Sequence, residues 1–251
     1  MNKIFKLKKN FIDHLNFYLS NSVSPVRQDI KNIKNHLQRR ESLYSKLNLS
    51  PLLISKARIL EVAPGSGYNS IYTNNQNPKY YELVEPNKVA CKDLNKILIK
   101  NKNKNLKLNP IKIQNFKPVI NYDVILCECW IGAIEEEVQV LKNFQNYLIK
   151  DGILVITFQP AIGMLTNTLR KIISFKLIKK NDDINTKVKK LSYAFSGHLK
   201  NLKYMSRLNK DWIIDVLINP AIIGSYLAPE TIFRILDKCE PLSTYPSFEN
   251  G

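Results

Sequence analysis

Two acids and two glycines are spaced as a ligand site requires. The stretch Glu61-Val62-Ala63-Pro64-Gly65-Ser66-Gly67 follows a short apolar run and precedes a helical one. A turn from strand to helix needs residues without bulky Cβ substituents, because the backbone must approach a ligand and then start the helix. Amides at such a turn are expected to point into a pocket. Eighteen residues after Gly67, a second apolar run ends in Glu85. An acid there is placed to clamp a ribose diol.

Two kinds of nucleoside ligand suit this arrangement, and Glu61 separates them. Gly65-x-Gly67-x-x-Ser70 is one residue short of the dinucleotide pattern G-x-G-x-x-G/A. A carboxylate at the end of the first strand would face the pyrophosphate of NAD, and like charges in a poorly solvated site are costly. S-adenosylmethionine carries no phosphate but has a sulfonium and an ammonium, so an acid there is favourable. Plainer readings stand beside these. Glu61 would serve as a surface acid capping the next helix, and Glu85 would suit any helix N-terminus.

LEVAPGSGYNS resembles the first motif of the class I S-adenosylmethionine-dependent methyltransferases, and LVEP resembles their second. Ala63 stands where the family's first glycine is usual. The resemblance covers about residues 50–160. It implies an α/β fold with a doubly wound, mostly parallel sheet of seven strands, and S-adenosylmethionine as cofactor. It also implies cofactor contacts from Glu61, Ala63, Pro64, Gly65, Ser66, Gly67 and Glu85, the last holding the ribose hydroxyls. Residues after the third strand approach the adenine in this family, which points to Asn115 and Phe116. The end of the fourth strand, Cys127-Glu128-Cys129-Trp130, would lie beside the methionine moiety and the acceptor. Glu128 and Trp130 are therefore catalytic candidates, with His198 as a candidate general base. Packing accounts equally well for Glu128 and Trp130, and a structural role for His198.

The elements that must position these residues follow from periodicity. Residues 1–50 read as a helical extension. Ser24-Pro25 is a start signal, and an apolar stripe runs through Ile30, Ile33, Leu37, Leu43 and Leu47. Lys31, Lys34, Arg39, Arg40 and Lys46 are expected on the solvated face. Strands are expected at 57–62, 79–85, 110–114, 123–128 and 152–158, alternating with helices, one of them opened by Pro86. This alternation implies parallel pairing through right-handed crossovers. Residues 51–160 form the expected core. Residues 161–251 form a helical cap, with amphipathic stretches at 164–178, 187–203, 210–218 and 229–238. PLST (241–244) would be a sixth strand, with the sequence ending before a seventh. Tyr193, Phe195, His198, Trp212 and Tyr226 are expected to contribute to an acceptor pocket.

The formal charge of +17 attracts polyanions, and RNA is the obvious one. Most of the excess is lysine amid abundant Asn and Ile, a compositional bias, while arginine, the residue that forks onto phosphate, is sparse. The motifs of amino-group and C5 nucleobase methylation are missing: CECWIG replaces a D/N-P-P-Y/F sequence, and Cys129 has no preceding proline. The four cysteines have no metal-site spacing and are expected as reduced thiols. No apolar run reaches the length of a membrane span, and the N-terminus lacks a secretory pattern, so cytoplasmic residence is expected. A small-molecule acceptor is the leading expectation. An RNA acceptor and a non-catalytic cofactor-binding subunit are the alternatives. The sequence does not indicate an oligomeric state.

Overall fold

The computed structural model describes residues 14–25, 27–98, 105–128, 136–158, 161–203, 205–220 and 229–246. Strands β1 (Arg58–Val62), β2 (Tyr80–Val84), β3 (Leu106–Asn109), β4 (Tyr122–Cys127) and β5 (Leu148–Ile156) form one sheet in the order β3-β2-β1-β4-β5. Every neighbouring pair is parallel. Central strands in such a sheet are covered on both faces and read as near-continuous apolar runs. Leu60, Val62, Val84, Ile125 and Cys127 pack on one face with α6 (Glu137–Tyr147) and α11 (Pro229–Ile235). Ile59, Tyr81, Leu83, Val124 and Leu126 pack on the other. There they meet α2 (Ile33–Lys46), α3 (Pro51–Lys56), α4 (Ser70–Asn75) and α5 (Lys88–Leu98).

A third apolar cluster lies outside the sheet. Phe17 and Tyr18 of α1 (His14–Ser20) pack with Leu191 of α8 (Ile184–Ala194) and Leu199 of α9 (Ser196–Asn201). α10 (Asn209–Trp212) continues directly into a π-helical turn, Ile213–Ile218, which completes this cluster. The first helix thus joins the C-terminal cap, while α2 joins the sheet. Between them, residues 23–25 and 27–29 run as an irregular strap. α7 (Ala161–Leu177) packs on the π turn and on α8.

Several elements differ from expectation. The third strand lies at 106–109, not at 110–114. Pro110 has no N–H for a ladder, while Leu106, Lys107 and Leu108 alternate as an edge strand should. Ser24-Pro25 does not start a helix; α2 begins at Ile33, where the Asn32 side chain accepts the Asn35 N–H. Pro86 does not open α5 either. Asn87 does, its Oδ1 accepting the Val89 and Ala90 amides. Residues 187–203 are divided between two helices at Phe195. PLST is irregular, so the described sheet has five strands. Among the described residues no helix is long and apolar enough to cross a membrane.

Candidate functional site

The carboxyl ends of β1, β2 and β4 bring Glu61, the turn 63–67, Glu85 and Glu128 together. Glu61 is the fourth residue of β1 and faces the α2–α5 side. Its Oε1 accepts the Ser70 hydroxyl at 3.0 Å, and its Oε2 accepts the Tyr81 hydroxyl. With 8% exposure it is not a surface cap. Burial raises its carboxyl to about 7, and the charge of Glu128 adds to the shift. The hydrogen bonds from Tyr81 and Ser70 and the charge of Arg40 oppose it. Glu85 is 3% exposed. Its Oε2 accepts the Gly65 N–H at 2.9 Å and its Oε1 the Asn87 N–H at 2.8 Å. Burial raises it to about 7 against both of those bonds.

The turn between these acids is conformationally demanding. Ala63, Gly65 and Gly67 have φ of 52°, 59° and 79°. A Cβ at Gly67 would come within 2.3 Å of Leu94 Cδ2, and one at Gly65 within 2.9 Å of the Pro25 carbonyl oxygen. Ala63 already bears a Cβ in the left-handed region, which explains why glycine suits that position. Ala63→Gly is expected to raise stability by about 0.5–1 kcal/mol, the relief of left-handed strain less the added freedom of the unfolded chain. A urea unfolding series checks this.

The amides of the turn do not point into open space as the sequence led us to expect. Gly65 donates to Glu85, Ser66 to the Pro25 carbonyl at 3.1 Å and Gly67 to the Pro64 carbonyl at 3.1 Å. The strap is the reason. It crosses the turn and is tied down by Asn87 Nδ2 donating to the Val23 carbonyl, by Arg27 on Asp93, and by the Asp29 N–H donating to the Ser206 carbonyl of the cap. The Gly65, Ser66 and Gly67 amides are thus taken up within the chain.

Arg40 corrects the sequence reading most. It was expected on the solvated face of α2 but is 8% exposed. Its guanidinium forks onto Glu128, with Nη1 to Oε2 at 2.9 Å and Nη2 to Oε1 at 2.5 Å. Tyr44 donates to the same carboxylate at 2.8 Å and accepts from Arg40 Nη2 at 2.6 Å. His36, Arg40 and Tyr44 are the buried residues of α2, four apart, so they share one face. His36 Nε2 lies 2.9 Å from the Tyr68 carbonyl and so donates to it. That i, i+4, i+8 polar spacing was the available signal, and the neighbouring apolar stripe masked it.

The remaining candidates lie elsewhere. Phe116 is buried in the core beside Tyr147, while Asn115 is exposed after β3. His198 sits in the cap between Phe195 and Trp212, with its Nε2 unpartnered and its basicity lowered by burial and by Arg170. Tyr193 is 86% exposed. Trp130, Cys129 and Tyr226 lie outside the described residues. Among the described residues no group of His, Cys, Asp and Glu is arranged to hold a metal. A groove of about 1340 Å³ runs along the outer edge of β5, lined by Leu43, Leu47, Ile153, Ile232 and Leu236, with Glu128 on its wall.

No family model matches the sequence, and no curated protein does. Solved structures do resemble the chain. PKMT2 from Rickettsia typhi is 16% identical over 81% of this chain and 41% of its own, with a TM-score of 0.57. The same protein in complex with AdoHcy is 16% identical, covers 80% of this chain and 41% of its own, and has a TM-score of 0.49. The N-methyltransferase NodS from Bradyrhizobium japonicum WM9 is 14% identical over 53% of this chain and 73% of its own, with a TM-score of 0.44. The chain thus spans 41% of the length of PKMT2. With its all-parallel order β3-β2-β1-β4-β5 and this likeness, the chain has the α/β fold of the class I methyltransferases.

Proposed function

We propose that the chain is an S-adenosylmethionine-dependent methyltransferase acting on a small molecule. One observation carries the reading: acids stand at the carboxyl ends of β1, β2 and β4, with Glu85 accepting an amide of the left-handed glycine turn and Glu61 within electrostatic reach of Glu128. Glu61 and Glu85, both raised to about 7, are destabilised as anions by burial. A cationic ligand relieves that cost, and a pyrophosphate would add to it.

The residues fit the cofactor as follows. Each Glu85 oxygen accepts one backbone N–H and keeps a second lone pair for a ribose hydroxyl. Glu61, with Tyr81 and Ser70 fixing its carboxyl plane, would hold the ammonium and sulfonium end. S-adenosylmethionine supplies an electrophilic methyl group when bound, so orientation and exclusion of water are the chain's main tasks. Arg40 and Tyr44 hold Glu128 rigid between the acid cluster and the β5 groove. The acceptor would enter along that groove, where Glu128 can take a proton from an oxygen or nitrogen nucleophile. His198, packed against Trp212 in the cap, is not needed in this scheme.

An RNA acceptor is the second reading, supported by the charge of +17. Incubation with methyl-labelled S-adenosylmethionine and separate small-molecule and RNA fractions tests both. Label in the small-molecule fraction supports the first reading. Label confined to RNA, at a rate that falls steeply with salt, replaces it with the second. Cofactor binding without transfer to any fraction supports a non-catalytic subunit.

A further inference from the structure

α7 is built inside out. Met164, Lys171 and Ser174 are buried at 5%, 3% and 0%, and Lys171 Nζ donates to the Asn219 carbonyl. On the opposite face Ile162, Leu165, Leu169, Ile172, Ile173 and Leu177 are exposed at 82%, 53%, 52%, 53%, 52% and 44%. At 100° per residue these six side chains fall within an arc of roughly 140°, turned away from the buried stripe. An amphipathic helix with its polar residues inward and its apolar residues in water has its natural partner missing from a single copy of the chain. The exposed area is roughly 600 Å² per copy, at the top of what a monomer surface usually shows and near the ~800 Å² per partner of a standard interface.

The spacing indicates what covers this face. Ile162, Leu165, Leu169, Ile172 and Lys176 follow one another at intervals of 3, 4, 3 and 4, the seam of a helix pair rather than a broad lipid-facing arc. Leu169 is the midpoint of α7, so turning a copy end for end about it brings 162 onto 176, 165 onto 173 and 169 onto 169, all on the exposed face. Charge agrees. The chain carries +17, yet Arg170 leans on Trp212, Lys171 is buried, and Lys176 alone brings charge to the seam, at its end. Two strongly basic chains can meet here with little like-charge contact, and the Lys176 stem can pack while its ammonium reaches water.

We infer that the outward face of α7 is the interface of a homodimer, formed by an antiparallel pair of α7 helices with the two-fold axis at Leu169.

Sedimentation equilibrium and light scattering on the full chain test it. The expected mass at micromolar concentration is twice the 29.0 kDa of one chain. Leu169→Lys, at a half-exposed position that folding does not need, should give a monomer with unchanged circular dichroism and thermal midpoint. Under mild oxidation Leu169→Cys should cross-link to itself, while Ile162→Cys should cross-link only when mixed with Lys176→Cys; the unsubstituted chain supplies the background of its own cysteines. A monomeric wild-type chain overturns the proposal, as does a dimer that survives Leu169→Lys. Wild-type monomer that binds phosphatidylserine vesicles and loses binding on Leu169→Lys also overturns it, giving the face to lipid.

Discussion

Arg40→Ala is expected to lower folding stability by about 3 kcal/mol and to weaken S-adenosylhomocysteine binding by about 100-fold. The side chains of Arg40 and Glu128 are only 10% and 20% exposed, and with Tyr44 they form one hydrogen-bonded group. Removing the guanidinium leaves Glu128 without its charged partner and takes away a positive charge that offsets Glu61. Breaking a buried pair from one side costs more than the pair contributes, because the remaining charge stays desolvated. Arg40→Lys keeps the charge but not the fork, and should fall between wild type and alanine. Adding Glu128→Gln to Arg40→Ala should restore about half of the lost stability, since the orphaned anion is gone. Urea unfolding of wild type, Arg40→Ala, Glu128→Gln and the double variant closes the cycle. Additive losses would show that the two residues do not act together.

The second large effect is on pH. Folding raises Glu61 and Glu85 from 4.5 to about 7, so the folded state holds protons that the unfolded chain has released. The stabilisation from these groups is complete below about 4.5 and is lost as pH rises through 7, by up to roughly 3 kcal/mol for each. His36 and His198, both lowered by burial, run the opposite way up to about 6.5 and flatten the slope there. Most of the loss should therefore fall between pH 4.5 and 7, and the part that remains above 6.5 is free of the histidine effect. Glu61→Gln should remove about half of it. Cofactor affinity should move in the contrary direction. A sulfonium and an ammonium favour the anions, so the association constant should rise about tenfold per pH unit below 7 for each carboxyl that must ionise, and level off above 8. Calorimetry in buffers of different ionisation heat would count the protons released. Affinity independent of pH would separate these acids from the ligand.

Much of this was legible in the sequence, for identifiable reasons. β1, β2, β4 and β5 appear as apolar runs because the sheet is covered on both faces. Glu61 and Glu85 are placed by strand ends that local pattern locates well. β3 was misplaced because an edge strand alternates, and its alternation of Leu and Lys blends into a Lys/Asn-rich segment. Arg40 was assigned to solvent because periodicity sorts residues by polarity. Its burial depends on Glu128, 88 residues away. The free amides expected at the glycine turn were misjudged for the same reason: Pro25 and Glu85, which accept two of them, are 41 and 20 residues distant from their donors. The inverted helix α7 defeats pattern reading entirely, because amphipathicity shows that a face is covered but not by what.

The most direct measurement is calorimetric titration of the full chain with S-adenosylmethionine and S-adenosylhomocysteine, with NAD in parallel. The buried Glu61 and Glu85, with the partly buried Glu128, predict micromolar binding of the first two, no binding of NAD, and loss of binding in Glu61→Ala and Gly67→Val proteins that remain folded. Binding of NAD, or a folded chain that binds none of the three, would contradict the account.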